Sequence, residues 1–293
     1  MSSSASFAPT PTERRVTLNT KRSRASQVWL YAVLTVGFIL VVTPFVWMIL
    51  GSFKSEGELR QVPPTWWPQT GTLDNYRDLF SKAKFLTYFF NSTLVAVVVT
   101  AGNVIFCSMV GYALAKLDFG GKKLVFGLVM GTLLLPGMVT FVPLFVLVAN
   151  MGLVDSYPGL ILPFLVTPFG VFLMRQFISA LPDDLLDAGR VDGASELRIF
   201  RQIILPLCGP ALGTLGILTF LGSWNSFLWP LVVAQTQDYY TLPVALALFS
   251  TGQNETNFGL LMAGATVTVM PIVIVFLILQ RRFIEGIATT GIK

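Results

Sequence analysis

The segment PDDLLDAGRVDGASELRIFRQIILPL, Pro182 to Leu207, is the one long polar interruption between strongly apolar runs that still keeps a helical period. Leu181, Leu185 and Ala188 recur at i, i+4 and i+7, whereas Asp183, Asp187 and Arg190 fall on another face, so a short amphipathic helix is expected. Gly193 closes it, because glycine adopts the left-handed conformation of a helix end without steric cost. Ser195 then stands where its hydroxyl caps a second helix. In that helix Phe200, Ile203, Ile204 and Leu207 form the apolar stripe, Arg198 and Arg201 lie off it, and Pro206 interrupts the hydrogen-bond ladder. Periodicity alone leaves two readings open: a docking surface for a partner, or a connecting loop lying on a bilayer.

Outward from this segment the chain is apolar. Of 293 residues 54% are hydrophobic and 12% charged, against about 25% charged in ordinary soluble domains. Six stretches lack charge: Val28 to Ser52, Phe85 to Ala115, Leu124 to Val154, Ser156 to Met174, Gln202 to Gln237 and Thr256 to Gln280. Each supplies the roughly 20 residues that a helix needs to cross a bilayer. The runs are continuously apolar rather than alternating, which predicts an all-α integral membrane protein with six transmembrane helices and excludes a barrel. The expected organisation is a disordered tail over 1–27, a first span over 28–50 and an outer loop over 51–84. A transmembrane domain of five helices follows over 85–280, with the cytoplasmic loop 182–207 inside it, and a tail over 281–293 ends the chain. Val28 to Leu50 is too long for a signal-peptide core, so it is read as a retained span.

The net charge of +5 is an orientation signal and does not point to nucleic acid. With both termini in the cytoplasm, the inner segments hold 15 Lys and Arg and the outer segments five, all in the first loop. Cys107 and Cys208 sit in apolar runs, where small packing residues are expected rather than a disulfide or metal pair.

Several features within this frame carry chemistry. VPPTWWP, Val62 to Pro68, suits an extended segment anchored at the membrane interface, with contact to an external partner as the other reading. Asn91, Ser92, Thr93, Thr100, Asn103 and Ser108 put uncharged polar groups in the second span, where they bond neighbouring helices or line an aqueous path. Pro136, Gly137 and Pro143, then Pro158, Pro163 and Pro168, break the third and fourth spans. GSWNSFLWPL, Gly222 to Leu231, ends the fifth span with Trp224, Asn225 and Trp229, which fit an aromatic belt or gate and equally a sugar with its hydroxyls and apolar ring face. Asn91, Asn103, Trp224 and Asn225 are accordingly the candidates for a substrate path or gate.

Absences narrow the function further. The chain has no His, which removes HExxH metal sites, Ser-His catalysis and histidine proton relays. No Asp, Glu, Lys or Arg lies in a span core, so intramembrane coupling residues are lacking, and an intramembrane enzyme such as a lipid-modifying transferase has no acid-base dyad. No GxxxxGK[ST] phosphate loop occurs. A chain without its own engine, yet with a folded amphipathic pair on its cytoplasmic face, needs an external motor. A passive channel needs no such pair.

The stretch Leu185 to Leu212 closely resembles the EAA loop of permease subunits in binding-protein-dependent ABC importers, through Ala188, Asp192, Gly193, Ala194, Phe200, Ile203, Leu205, Pro206 and Pro210. Two positions depart: Asp187 replaces the usual Glu, and Gly189 the second Ala, at a helix cost of about 1 kcal/mol. Asn91 and Ser92 with Tyr112, Ala113, Ala115, Phe119 and Gly121, then Trp224, Asn225, Phe227, Trp229 and Pro230, then Thr241, Leu242 and Pro243, and the end from Gln280 to Lys293, resemble the carbohydrate-uptake branch, of the maltose type. The resemblance implies a type I importer permease fold in the cytoplasmic membrane, multi-pass. It implies a homologous second permease, a dimer of ATP-binding subunits and an extracytoplasmic binding protein as partners, besides membrane lipid. No cofactor is then bound by this chain, and ATP and Mg belong to the partner ATPase. Asp187, Ala188, Gly189, Asp192, Gly193, Ala194, Phe200, Leu205 and Pro206 become the ATPase-coupling residues, with the tail from Ile287 as a second contact. The expected solute is an oligo- or disaccharide, with a glycerol-phosphate-type or polyol solute as the alternative.

Overall fold

The structure, a computed structural model, describes residues 24–81, 84–250 and 257–290, with side chains as far as Ile278. Among these residues every regular element is a helix. Helix α1 is Arg24–Ser52, and it runs through Pro44 without a break in assignment. It starts within the stretch expected to be a disordered tail, and residues 1–23 of that tail lie outside the described residues. The chain divides at Val46 into two units. In the first, the α1 side chains from Val28 to Val41 are exposed around the whole helix, Trp29 at 72% and Leu40 at 70% among them, as suits a helix solvated by lipid.

The second unit begins with the expected outer loop, which contains the short helices Glu56–Leu59 and Asp74–Ser81. The loop is pinned by Lys54, buried with its ammonium bonded to the carbonyl and hydroxyl oxygens of Thr65. Thr65 in turn donates to buried Glu58 at 2.7 Å. Trp66 packs edge-on against Trp47, with ring centroids 4.9 Å apart, and Trp67 is exposed.

Helix α2, Phe85–Lys116, is continuous through a π-turn at Asn103–Cys107. The next apolar run is not one straight span. Helices α3, Lys122–Leu134, and α4, Gly137–Asn150, meet at 108°, because Pro136 fixes an extended backbone between them and has no N–H to continue the ladder. Helix α5, Tyr157–Ser179, contains the 3₁₀ turn Leu162–Phe164 beside Pro163 and restarts at Pro168. Two short helices follow, α6, Asp184–Val191, and α7, Glu196–Leu207, the latter widened by a π-turn at Phe200–Ile204 just before Pro206. After an 81° bend comes α8, Gly209–Trp224, and then α9, Leu228–Val233.

The charge-poor segment between the fifth and sixth apolar runs, which contains Gln235 to Tyr240 and Gly252 to Asn257 and reads from the sequence as an outer loop, is partly helical. Leu242–Ser250 forms a helix, α10, that buries Leu242, Val244 and Ala245, since the run LPVALALFS is apolar enough to pack. Residues 251–256 of that segment lie outside the described residues. Helix α11, Phe258–Thr290, carries the last apolar run beyond Gln280, so the backbone of the expected tail is helical to Thr290. Among the described residues four helices are long and apolar enough to span a membrane, or up to six when each bent pair counts as one span.

Three buried clusters hold the second unit together. One, around Tyr112, Met174, Ile178, Ile199, Phe200 and Leu215, joins α2, α5 and α8 to α6 and α7. Another gathers Phe85, Tyr88, Trp224, Leu242 and Ala263, and the third Val95, Leu160, Trp229 and Val233.

Candidate functional site

Helix α6 ends as the glycine requires. Gly193 has φ +76°, the Ala194 N–H donates to the Gly189 carbonyl, and the Gly193 N–H donates to the Arg190 carbonyl, each at 3.0 Å. That pair of bonds closes the helix and aims the chain into α7. Ser195 occupies the cap position in extended geometry, but its side chain makes no cap bond, contrary to expectation. The neighbouring Glu196 is turned instead toward Arg190 and Tyr112.

The expected stripe of α6 is out of phase. Leu186 and Gly189 are its buried residues, while Leu185 and Ala188 are exposed. The cause is Pro182: Leu181 still belongs to the turn closing α5, its N–H bonded to the Ile178 carbonyl, and the helix restarts at Asp184. Counting across the proline therefore carries no phase. Gly189 faces α7 so closely that an added Cβ would lie 3.0 Å from Ile203 Cδ1 and 3.2 Å from Ile199 Cγ1. The missing methyl, a departure from the resembled pattern, is a packing feature.

The nine residues expected to couple to a partner thus fall into two groups. Asp187, Ala188, Asp192, Gly193 and Pro206 are exposed, together with the apolar Leu185, Val191 and Leu197. Gly189 and Phe200 are buried, and Ala194 and Leu205 are half-buried against the inner cluster. The first group can be touched, and the second braces it.

Three polar donors, Arg190, Tyr112 and Lys116, absent from the expected set, complete the brace. Arg190 donates to Asp187 at 3.1 Å and to Glu196 at 2.9 Å, so Asp187 is held within its own helix. Tyr112 donates to Glu196 at 2.5 Å while its ring packs on Phe200, centroids 5.5 Å apart. Lys116, nearly buried, donates to the Leu181 carbonyl at 2.5 Å and to Asp183 at 2.6 Å. Its hydrogen bond and charge hold the Asp183 carboxyl below the ordinary carboxylate range. A depressed carboxylate pKa contributes stability above the unfolded value that is lost only as pH falls through the folded value, so this tie is complete at neutral pH. Lysine and tyrosine closing a span, with carboxylates some 70 residues later, gave the sequence no signal of pairing.

Removing the Tyr112 hydroxyl as Tyr112→Phe keeps the ring contact and leaves Glu196 one donor short. The loss is about 1 kcal/mol, read as a lower melting temperature of the detergent-solubilised protein. An unchanged melting temperature would show that this contact does not brace α7.

The four path candidates have structural partners. Asn91 and Asn103 have no exposed surface. Asn91 donates to the carbonyls of Asp238 and Tyr240 at 2.8 and 2.9 Å and accepts from the Tyr157 hydroxyl at 2.8 Å. Asn103 donates to the Phe164 carbonyl at 2.6 Å and accepts from Thr167 at 2.7 Å, which secures the irregular turn of α5. Trp224 is buried, with its indole N–H on the Thr268 carbonyl and its ring stacked on Phe220. Asn225 is exposed and bonds back to the Leu221 carbonyl. Asn91, Asn103 and Trp224 tie helices and loops together, because a buried amide or indole in lipid must find a partner, whereas Asn225 only closes its own helix.

Between α2, α5 and α8 lies a cleft of about 310 Å³. Thr219, Ser223 and Ser226 line it at i, i+4 and i+7, Ser92 and Thr241 add further hydroxyls, and Phe169 and Trp229 are among its apolar residues. None of these three, Thr219 and Ser223 in α8 and Ser226 just past its end, was singled out in the sequence, although the spacing is visible there.

Residues 108–288 match the family described as "Binding-protein-dependent transport system inner membrane component". The chain is 42% identical over 267 residues to the arabinooligosaccharides transport system permease protein AraQ of Halalkalibacterium halodurans, covering 89% of this chain and 95% of that one. It is 33% identical to the diacetylchitobiose uptake system permease protein NgcG of Streptomyces coelicolor, covering 89% and 87%. It is 30% identical to the sn-glycerol-3-phosphate transport system permease protein UgpE of Salmonella choleraesuis, covering 90% and 96%. Its fold is similar to a chain in the crystal structure of a bacterial ABC transporter that imports alginate, with a TM-score of 0.80 and 23% identity, covering 89% and 98%.

Proposed function

The chain belongs to the family of binding-protein-dependent transport system inner membrane components, and from that membership we propose that it carries an oligo- or disaccharide inward as one half of a permease pair. It is a transport subunit of the membrane and not an enzyme. The partners in this proposal are a homologous second permease, two copies of an ATP-binding subunit and an extracytoplasmic substrate-binding protein.

One observation carries the mechanism: α6 and α7 form a closed, braced pair whose outer face offers Leu185, Ala188, Val191 and Leu197 to a partner. Its inner face is packed into the cluster that contains the ends of α2 and α5. A push on such a pair is passed to the spans, because packed cores shift as bodies and do not deform continuously. Closure of the ATP-binding subunits then moves the pair, and the spans alternate between outward and inward access. By linkage, ATP and the loaded binding protein must favour the same state.

The saccharide reading is supported by relatives named for arabinooligosaccharides and diacetylchitobiose, while a relative named for sn-glycerol-3-phosphate supports the second reading. Purifying the chain from its native membranes and assaying ATP hydrolysis tests the motor. Hydrolysis is expected in the purified complex although this chain has no phosphate loop. Solute uptake by vesicles that contain this chain alone, without ATP, would overturn the reading.

A further inference from the structure

We propose that the cleft between α2, α5 and α8 is this chain's wall of the solute path and that it accepts neutral polyhydroxylated solutes while rejecting anions. This rests on the permease reading above and narrows its substrate class. Three observations converge on it.

The first is charge. None of the fifteen residues lining the cleft is Asp, Glu, Lys or Arg. A phosphate or carboxylate entering it would give up water without meeting a cation, which costs several kcal/mol per ion. A sugar hydroxyl gives up water for a serine or threonine hydroxyl and comes close to even.

The second is the hydroxyl row. Serine and threonine in apolar helices ordinarily bond the carbonyl four residues back. Thr93, Thr214 and Thr266 do so here. Thr219, Ser223 and Ser226 face the cleft together on one side of α8 and its end. The spacing of successive hydroxyls along a helix face suits a ligand that offers hydroxyls in series.

The third is Thr241, which is 4% exposed and whose buried hydroxyl has no hydrogen-bond partner. It precedes α10, yet its side chain makes no cap bond; Pro243, one of the two positions a cap hydroxyl would bond, has no N–H to give. A buried hydroxyl left unbonded is unfavourable, and a ligand hydroxyl in the cleft it lines would relieve that. Phe169, 44% exposed and among the lining residues, supplies an aromatic ring of the kind on which a sugar stacks.

The test is thiol labelling of Ser223→Cys in the purified assembled complex, with Ser226→Cys and Thr219→Cys as independent variants should one fail to fold. The probes are a glycosyl methanethiosulfonate, neutral, and sulfonatoethyl methanethiosulfonate, anionic. Rates are normalised to Val62→Cys, which sits on an exposed side chain of the outer loop. The neutral reagent is expected to label the cleft cysteines faster by a factor of about ten, the equivalent of 1.4 kcal/mol. Adding Ser223→Lys to Ser226→Cys should reverse the preference. Equal normalised rates would overturn the selectivity, and no labelling by either reagent would overturn the path. Both outcomes are independent of whether an ATPase co-purifies, so failure here is distinct from failure of the permease reading.

Discussion

Gly193→Val is expected to lower docking of the ATP-binding subunits about tenfold, and ATP-driven uptake with it, while leaving the amount of chain in the membrane nearly unchanged. Nothing lies within 4 Å of a Cβ built on Gly193, so valine meets no wall. The penalty lies in the backbone: at φ +76° an L side chain costs roughly 1–2 kcal/mol, and a β-branched one stands at the upper end of that range. Relief requires leaving the left-handed region, which breaks the bonds from Ala194 to Gly189 and from Gly193 to Arg190 and re-aims α7 against α6. An error of 1.4 kcal/mol is tenfold in affinity. The spans do not depend on this turn, so insertion should survive. Gly193→Asn separates backbone strain from contact with the partner, because asparagine tolerates the left-handed conformation. Near-normal uptake by the asparagine variant with loss in the valine variant supports the turn as the cause. Equal loss in both would mean that the partner packs directly on the glycine, and normal uptake by the valine variant would remove the turn from the coupling argument.

What could be read in the sequence follows from how local each interaction is. The helical character of the apolar runs and the turn at Gly193 depend on neighbours within a few residues, and both are seen in the structure, although two of the runs are bent by 108° and 81° rather than straight. The face of α6 was misread because Pro182 resets the helical phase, so Leu186 and Gly189 point inward and Leu185 and Ala188 outward. Asn91 shows the limit more sharply. An amide in an apolar helix serves a solute or a backbone carbonyl equally well on paper. Its actual partners are carbonyls 147 and 149 residues away. The row of Thr219, Ser223 and Ser226 was hidden for the opposite reason: such hydroxyls commonly satisfy themselves within their own helix, so their spacing has meaning only once their surroundings are known.

Gly111→Leu is expected to abolish the folded protein, and Gly111→Ala to lower its stability by about 1–3 kcal/mol, the usual cost of overpacking. Here the obstacle is steric. A Cβ at Gly111 would lie 2.8 Å from Met174 Cβ and 2.9 Å from the Arg175 backbone nitrogen. Backbone cannot rotate aside as a long side chain does, so α2 and α5 must separate. Small residues allow membrane helices to approach this closely, and dispersion across the contact replaces the hydrophobic drive that lipid does not provide. The strain would not stay local. Met174 belongs to the same buried cluster as Leu186, Ile199 and Phe200, and Tyr112, the next residue, holds Glu196 of the docking pair. Gly111→Ala should therefore weaken retention of the ATP-binding subunits as well as lower the melting temperature. Gly127→Ala, in α3 with open space around the added methyl, is the control and should hold or gain stability through helix propensity. A Gly111→Ala protein that melts at the parent temperature and keeps its ATPase would show that α2 and α5 have slack the geometry denies.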